Sequence, residues 1–196
     1  MKPNLRTIAV GSTSALAMLA VANPVVAEGM YMGIGIGMAG GENPNPGSGE
    51  SDQYFLSGPV MSAFIGVDRD LANGMFVGGE LAYSGGHEGD ANEESSYPYA
   101  YDVNYNIDAK FRVGTMLGEA KVYGFAGMST GLTRALSYGG SYNYVGANIG
   151  AGASYEVVDG VSVGLEHIIR FTEGTGDSDP FSGRSNASTL RVSFEF

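Results

Sequence analysis

Residues 99–114 read YAYDVNYNIDAKFRVG. Tyr99, Tyr101, Val103, Tyr105, Ile107, Ala109, Phe111 and Val113 occupy alternate positions, with Ala100, Asp102, Asn104, Asn106, Asp108, Lys110, Arg112 and Gly114 between them. Successive side chains of an extended backbone point to opposite faces, so a period of two over this length describes a long strand with one apolar and one half-polar face. The same period recurs on both sides of it. Met30, Met32, Ile34, Ile36 and Met38 alternate with Gly33, Gly35 and Gly37; Met61, Ala63, Ile65 and Val67 alternate with Ser62, Phe64, Gly66 and Asp68; Val77, Leu81 and Tyr83 oppose Gly78, Glu80, Ala82 and Ser84.

Beyond the quoted stretch, a strand is predicted over about 121–130. Its facing stays open: by size Tyr123 and Phe125 belong outside, whereas Val122 and Met128 favour the opposite register. Val145, Ala147, Ile149, Ala151, Ala153 and Tyr155 then alternate with Gly146, Asn148, Gly150, Gly152, Ser154 and Glu156. Val161, Val163, Leu165, His167, Ile169 and Phe171 share a face opposite Ser162, Gly164, Glu166, Arg170 and Thr172. The last segment sets Leu190, Val192, Phe194 and Phe196 against Thr189, Arg191, Ser193 and Glu195. These are eight strands. Connections 40–57, 85–98, 131–141 and 173–186 are long, and the three between them, near 69–74, 117–120 and 158–160, are short. Long loops at one end and short turns at the other describe an all-β, up-and-down antiparallel barrel.

Composition bounds the alternatives. The chain has 196 residues, 32 of them Gly, with 43% hydrophobic and 16% charged residues and no Cys. The absence of Cys excludes disulfide scaffolds, thiolate metal sites and thiol catalysis. Ten Lys/Arg against 21 Asp/Glu argue against a nucleic-acid partner. Residues 1–27 carry Lys2 and Arg6, an apolar run from Ile8 to Ala22, and Val25-Val26-Ala27 at the end. They read as a secretory signal peptide cleaved after Ala27, leaving 28–196 as the barrel domain. Eight bases then remain against 21 acids, a net charge of −13.

Alternation alone does not say which face points outward, because a soluble lipocalin-like barrel and a membrane barrel share it. Glycines crowd the polar face, which suits a narrow interior and gains nothing in water. The charges on that face carry both signs: Glu80, Asp102, Asp108, Glu156, Glu166 and Glu195 with Lys110, Arg112, Arg170 and Arg191. Enclosed in a barrel these must pair, so they are read as an interior charge network. Tyr83, Tyr99, Tyr101, Tyr155, Phe171, Phe194 and Phe196 lie on the apolar face near strand ends, as a lipid–headgroup girdle requires. The reading is therefore a transmembrane β-barrel.

The closing stretch Leu190-Arg191-Val192-Ser193-Phe194-Glu195-Phe196 resembles the carboxy-terminal signature by which bacterial outer-membrane barrels are recognised for assembly. With it and Gly79-Glu80-Leu81-Ala82-Tyr83, the mature chain resembles the small eight-stranded barrels of Gram-negative outer membranes: OmpA-type transmembrane domains, OmpX and opacity-like surface proteins. That resemblance implies an outer-membrane location and contact with outer-membrane lipid and lipopolysaccharide. It also implies handling by the barrel-assembly machinery through Phe194 and Phe196, and a monomer. A peptidoglycan-binding domain and cell-wall anchoring are not implied.

Eight strands leave a lumen that side chains fill, so function is expected in the long loops. These carry Glu42, Glu50 and Asp52; Glu88, Asp90, Glu93 and Glu94; Arg134; and Glu173, Asp177, Asp179 and Arg184, a net −8. A solvated acidic surface and divalent-cation binding are both open readings. Catalysis would need a His with a partner. His87 sits in an acidic loop, and His167 neighbours Glu166 but points to the other face. Ser185-Asn186-Ala187 partly resembles a lipid A deacylase motif, yet Gly183 and Arg184 stand where its His would precede the Ser. The sequence thus predicts a non-catalytic barrel without cofactor, supporting envelope integrity and surface interactions. A narrow pore, a lipid A-modifying enzyme and a soluble ligand-binding barrel are the alternatives.

Overall fold

The computed structural model describes residues 29–44, 53–88, 101–135, 141–174 and 181–196. Residues 1–28, on which the expected signal peptide falls, and the centres of the long connections, with Glu50, Asp52, Asp90, Glu93, Glu94, Asp177 and Asp179, lie outside the described residues.

Eight long strands follow one another: β1 (Met30–Pro44), β2 (Gln53–Asp70), β3 (Met75–Gly85), β4 (Tyr101–Leu117), β5 (Ala120–Ala135), β6 (Ser141–Val158), β7 (Val161–Gly174) and β8 (Phe181–Glu195). After a kink at Gly86, where φ is 97°, His87–Glu88 continues the pairing of β3 with β4. Each strand pairs antiparallel with the next, and β1 closes the barrel on β8 from Tyr31↔Glu195 to Glu42↔Arg184. Closure joins the first strand to the last and so removes the free edge that a hydrocarbon environment would not tolerate; at the long-connection end, β2 runs on past β3, with Gln53–Val60 pairing with β1 but not with β3.

The strands run further toward the long-connection end than the alternation suggested. Glu42, Glu88, Arg134, Glu173 and Arg184, read as loop residues from sequence, all lie in strands. Ser185, Asn186 and Ala187 do too, facing inward, outward and inward in turn. A β-bulge at Asn104 interrupts the otherwise even register of β4 and β5. At the short-turn end, Asn73 and Gly74 both adopt positive φ, and the Asn73 Oδ1 accepts the Met75 amide at 3.3 Å.

The burial pattern inverts that of a soluble protein. Ile34 is 62% exposed and Met61 67%, whereas Asp108 is 1% exposed. Glu80, Lys110, Arg112, Glu166, Arg170 and Arg191 are likewise buried. An apolar exterior around a polar interior is stable where lipid, not water, surrounds the barrel. On β5 the open question of facing resolves. Tyr123 and Phe125 lie inside, and Val122 and Met128 face outward.

Candidate functional site

The lumen holds the chemistry. Its central layer comes from four strands: Glu80 on β3, Lys110 on β4, Glu166 on β7 and Arg191 on β8. Lys110 Nζ donates to Glu80 Oε1 at 2.9 Å and to Glu166 Oε1 at 2.5 Å. Arg191 spans the same two carboxylates, reaching Glu80 Oε2 at 2.6 Å through Nη2 and Glu166 Oε2 through Nη1. Two bases each joined to two acids form a closed ring of charge. Tyr31 donates to Glu80 Oε2 at 2.9 Å and Tyr123 to Glu166 Oε2 at 3.1 Å, so the ring is also tied to two phenols. Buried charges are tolerable only when their remaining lone pairs and protons are engaged in this way.

Two further groups extend the ring along the barrel axis. Toward the long-connection end, Arg170 grips Asp108 with two bonds, Nε to Oδ1 at 2.8 Å and Nη2 to Oδ2 at 2.6 Å. Ser129 donates to Asp108 at 2.6 Å, and Asn148 donates to Ser129 at 2.9 Å. Still higher, Tyr144 donates to Asn106. Toward the short turns, Lys121 reaches Asp68 Oδ2 at 3.0 Å. Arg112 bonds Glu80 at 3.3 Å, and its guanidinium lies 4.0 Å from the Tyr123 ring centre and 5.0 Å from that of Tyr31.

Glycine makes room for the rings. Gly33 faces Phe64, Gly66 faces Tyr31, Gly114 faces Phe76, Gly131 faces Tyr144, and Gly150 and Gly152 face Phe125 and Tyr123. In each pair, a Cβ on the glycine would run into the opposing ring. The crowded polar face thus stacks an interior aromatic flat over a bare stretch of the next strand.

Seven of the ten charged residues singled out from the sequence meet in this lumen: Glu80, Asp108, Lys110, Arg112, Glu166, Arg170 and Arg191. Glu156 and Glu195 join none of these ion pairs, although Glu195 borders the lumen at its short-turn mouth. Both are exposed near the short turns, Glu156 accepting the Gly160 amide at 3.0 Å. Alternation gives the facing of a residue but not its depth, and these two stand where the barrel has already opened to solvent. The backbone of Asp102 pairs with Arg134 beyond the bulge, and its side chain lies outside the described residues. Sequence reasoning missed Asp68, Lys121 and the interior tyrosines. Asp68 was on the polar face all along; the signal for the tyrosines was the glycine opposite each ring.

Phe194 and Phe196 are exposed on the outer surface at the short-turn end, where the Phe196 amide bonds the Met30 carbonyl at 2.9 Å. Tyr83, Tyr155 and Phe171 also face outward, and Tyr83 stacks on Tyr105 at 6.1 Å. His167 faces outward as well, its Nδ1 2.8 Å from Ser188 Oγ, while Glu166 points into the lumen. The strand geometry therefore keeps that His and Glu on opposite sides of the wall. Among the described residues no three His, Asp or Glu converge to hold a metal.

Residues 9–196 match the family described as the outer membrane protein beta-barrel domain. The chain belongs to that family. Its location is accordingly the bacterial outer membrane, spanned by strands. Among solved structures, this barrel is similar to Neisserial surface protein A, at 16% identity over 86% of this chain and 97% of the other, with a TM-score of 0.57. It is also similar to Ail, the attachment invasion locus protein of Yersinia pestis, in complex with the heparin analogue sucrose octasulfate. That match has 16% identity over 84% and 99% of the two chains and a TM-score of 0.49. A third is the outer membrane protease OmpT of Escherichia coli, at 8% identity over 87% and 98%, with a TM-score of 0.46. At these identities the likeness concerns the fold alone. No curated protein sequence matches the chain.

Proposed function

We propose that this outer-membrane barrel is non-catalytic and closed to solutes, supporting envelope integrity and making surface contacts through the acidic connections at its long-loop end. The observation that carries the reading is the ring of Glu80, Lys110, Glu166 and Arg191 across the lumen, reinforced by Asp108–Arg170 above it. A solute would have to break several buried ion pairs at once, each costly to leave half-made. With the lumen filled, recognition falls to the loops, whose acidic residues give that end a net negative charge.

The partners that suit this surface are the neighbouring outer-leaflet lipids, with divalent cations bridging loop carboxylates to lipopolysaccharide phosphates. The barrel acts as a monomer, and the assembly machinery reads Phe194 and Phe196 on its last strand. Among the described residues, neither His167, held against Ser188 on the outer wall, nor the Ser185-Asn186-Ala187 stretch gathers an acid–base pair.

Planar-bilayer recording tests the closure: purified barrel should add no stable conductance steps. A deletion strain should become sensitive to detergent and regain resistance with the wild-type gene and with a His167→Ala variant. Stable channels, or rescue that fails only with His167→Ala together with altered lipid A, would favour a pore or an enzyme instead.

A further inference from the structure

The outer wall departs from its apolar pattern on one pair of strands. Outward positions of β8 run, from the short turns upward, Phe194, Val192, Leu190, Ser188, Asn186 and Arg184, and the last three are polar and exposed. His167 of β7 stands opposite Ser188, its Nδ1 2.8 Å from the Ser188 Oγ, and the Arg184 guanidinium lies 5.8 Å from the ring centre of Phe171. The outward residues on either side are apolar, among them Ile36 and Met38 on β1, Leu165 on β7 and Ile149 on β6. With a rise of about 3.3 Å per residue and a tilt of about 40°, each outward step climbs about 5 Å, so an apolar band of about 25 Å that begins at Phe194 ends near Arg184. Long connections mark the outer side of such a barrel. Arg184 therefore sits at headgroup level in the outer leaflet, with Asn186 about 5 Å and Ser188 about 10 Å inside the hydrocarbon. Glu173 stands one outward step above Phe171 on β7, beyond that level.

Lipid tails offer such side chains no partner, and a bare amide among them is costly. Ser188 and His167 meet part of their need between themselves, while the Asn186 amide, with two donor hydrogens and an acceptor oxygen, faces the lipid. An occupant that suits this stripe carries an anion at the level of Arg184 and, below it, groups that donate as well as accept. A glycerophospholipid has the phosphate, but its ester carbonyls only accept. Lipid A carries phosphates on a glucosamine core whose chains are amide-linked and 3-hydroxylated, so N–H and O–H groups lie among carbonyls just below the phosphates. We propose that the outward face of β7 and β8 is a lipid A site, in which Arg184 takes a phosphate and Asn186 and Ser188 pair with the amide and hydroxyl groups of one acyl arm. An Arg–phosphate contact is charge-assisted and directional, and the Phe171 ring holds the guanidinium at the height where it forms. Met38 and Leu165 flank the stripe as apolar walls for the chains. The site rests on the outer-leaflet lipid contact proposed above and differs from it in needing no divalent cation, because Arg184 supplies the charge.

Delipidated barrel in detergent, with EDTA present, is titrated with lipid A or with phosphatidylglycerol and read by native mass spectrometry, each variant first checked for heat-modifiable gel mobility. The wild-type barrel should hold one lipid A at least about tenfold more tightly than phosphatidylglycerol, the worth of one or two added hydrogen bonds. Arg184→Gln should weaken both lipids by about tenfold, since both carry phosphate. Asn186→Leu, with Ser188→Ala as the milder variant should the leucine disturb folding, should weaken lipid A alone and remove the preference. Arg69→Gln, which removes an exposed cation at the short-turn end, should change neither affinity. Equal binding of the two lipids by the wild-type barrel, or a preference that survives both Asn186→Leu and Ser188→Ala, would overturn the site. Lipid A binding that appears with calcium and vanishes in EDTA would also overturn it, while leaving cation bridging through the loops in place. Binding in neither condition would remove both.

Discussion

A single side chain in this barrel is worth what its depth makes it. Asp108 is enclosed and holds Arg170 by two bonds, so Asp108→Ala strands a buried guanidinium and should lower unfolding free energy by about 3–5 kcal/mol in urea titrations of vesicle-bound protein. Glu156 shares the polar face but stands in solvent, and Glu156→Gln should leave the midpoint unchanged. Glycines divide in the same way. Gly66→Leu pushes a side chain into the Tyr31 ring and should destabilise by about 1–3 kcal/mol, whereas a Cβ at Gly79 meets nothing nearer than 3.9 Å, and Gly79→Ala should be tolerated. If both glycine variants behaved alike in the same titration, packing against the interior rings would not be what the glycines supply.

Strand β5 shows where a sequence stops being informative. Its neighbours declare their facing through charge, as β4 does with Asp108, Lys110 and Arg112 on one side. Between Lys121 and Arg134, β5 has no charged residue, and it offers large apolar residues on both faces: Tyr123 and Phe125 on one, Val122 and Met128 on the other. Size points the two rings toward lipid. What overrides size is the register, which sets Tyr123 against Gly152 and Phe125 against Gly150 and opens interior space for each. Register is a long-range property, invisible to a window of one strand. The resulting facing is testable within the element: Ala126 lies outward near the middle of β5, so Ala126→Arg should cost about 2–4 kcal/mol of stability in a bilayer. A neutral effect there would mean that position 126 faces the lumen, where acids could receive the new charge.

At the scale of the whole molecule, the eight-strand order, the closure and the family were legible because alternation and the placing of long and short connections are repeated around the barrel. The charged site was legible in membership more than in geometry. Glu80, Lys110, Glu166 and Arg191 could be assigned to one face, but only the shear of the closed sheet brings four separate strands to one level. Asp68 was passed over because nothing local distinguishes it from a turn-side aspartate, and Glu195 was included because nothing local distinguishes it from a buried one. The central claim, a wall with apolar residues outward and charge enclosed, meets its most direct test in adjacent cysteines at Asn106 and Ile107. Ile107 is exposed on the wall and Asn106 is buried in the lumen. In reconstituted barrels, a lipid-soluble thiol reagent should label position 107 and spare 106; labelling of 106 with protection of 107 would contradict the account.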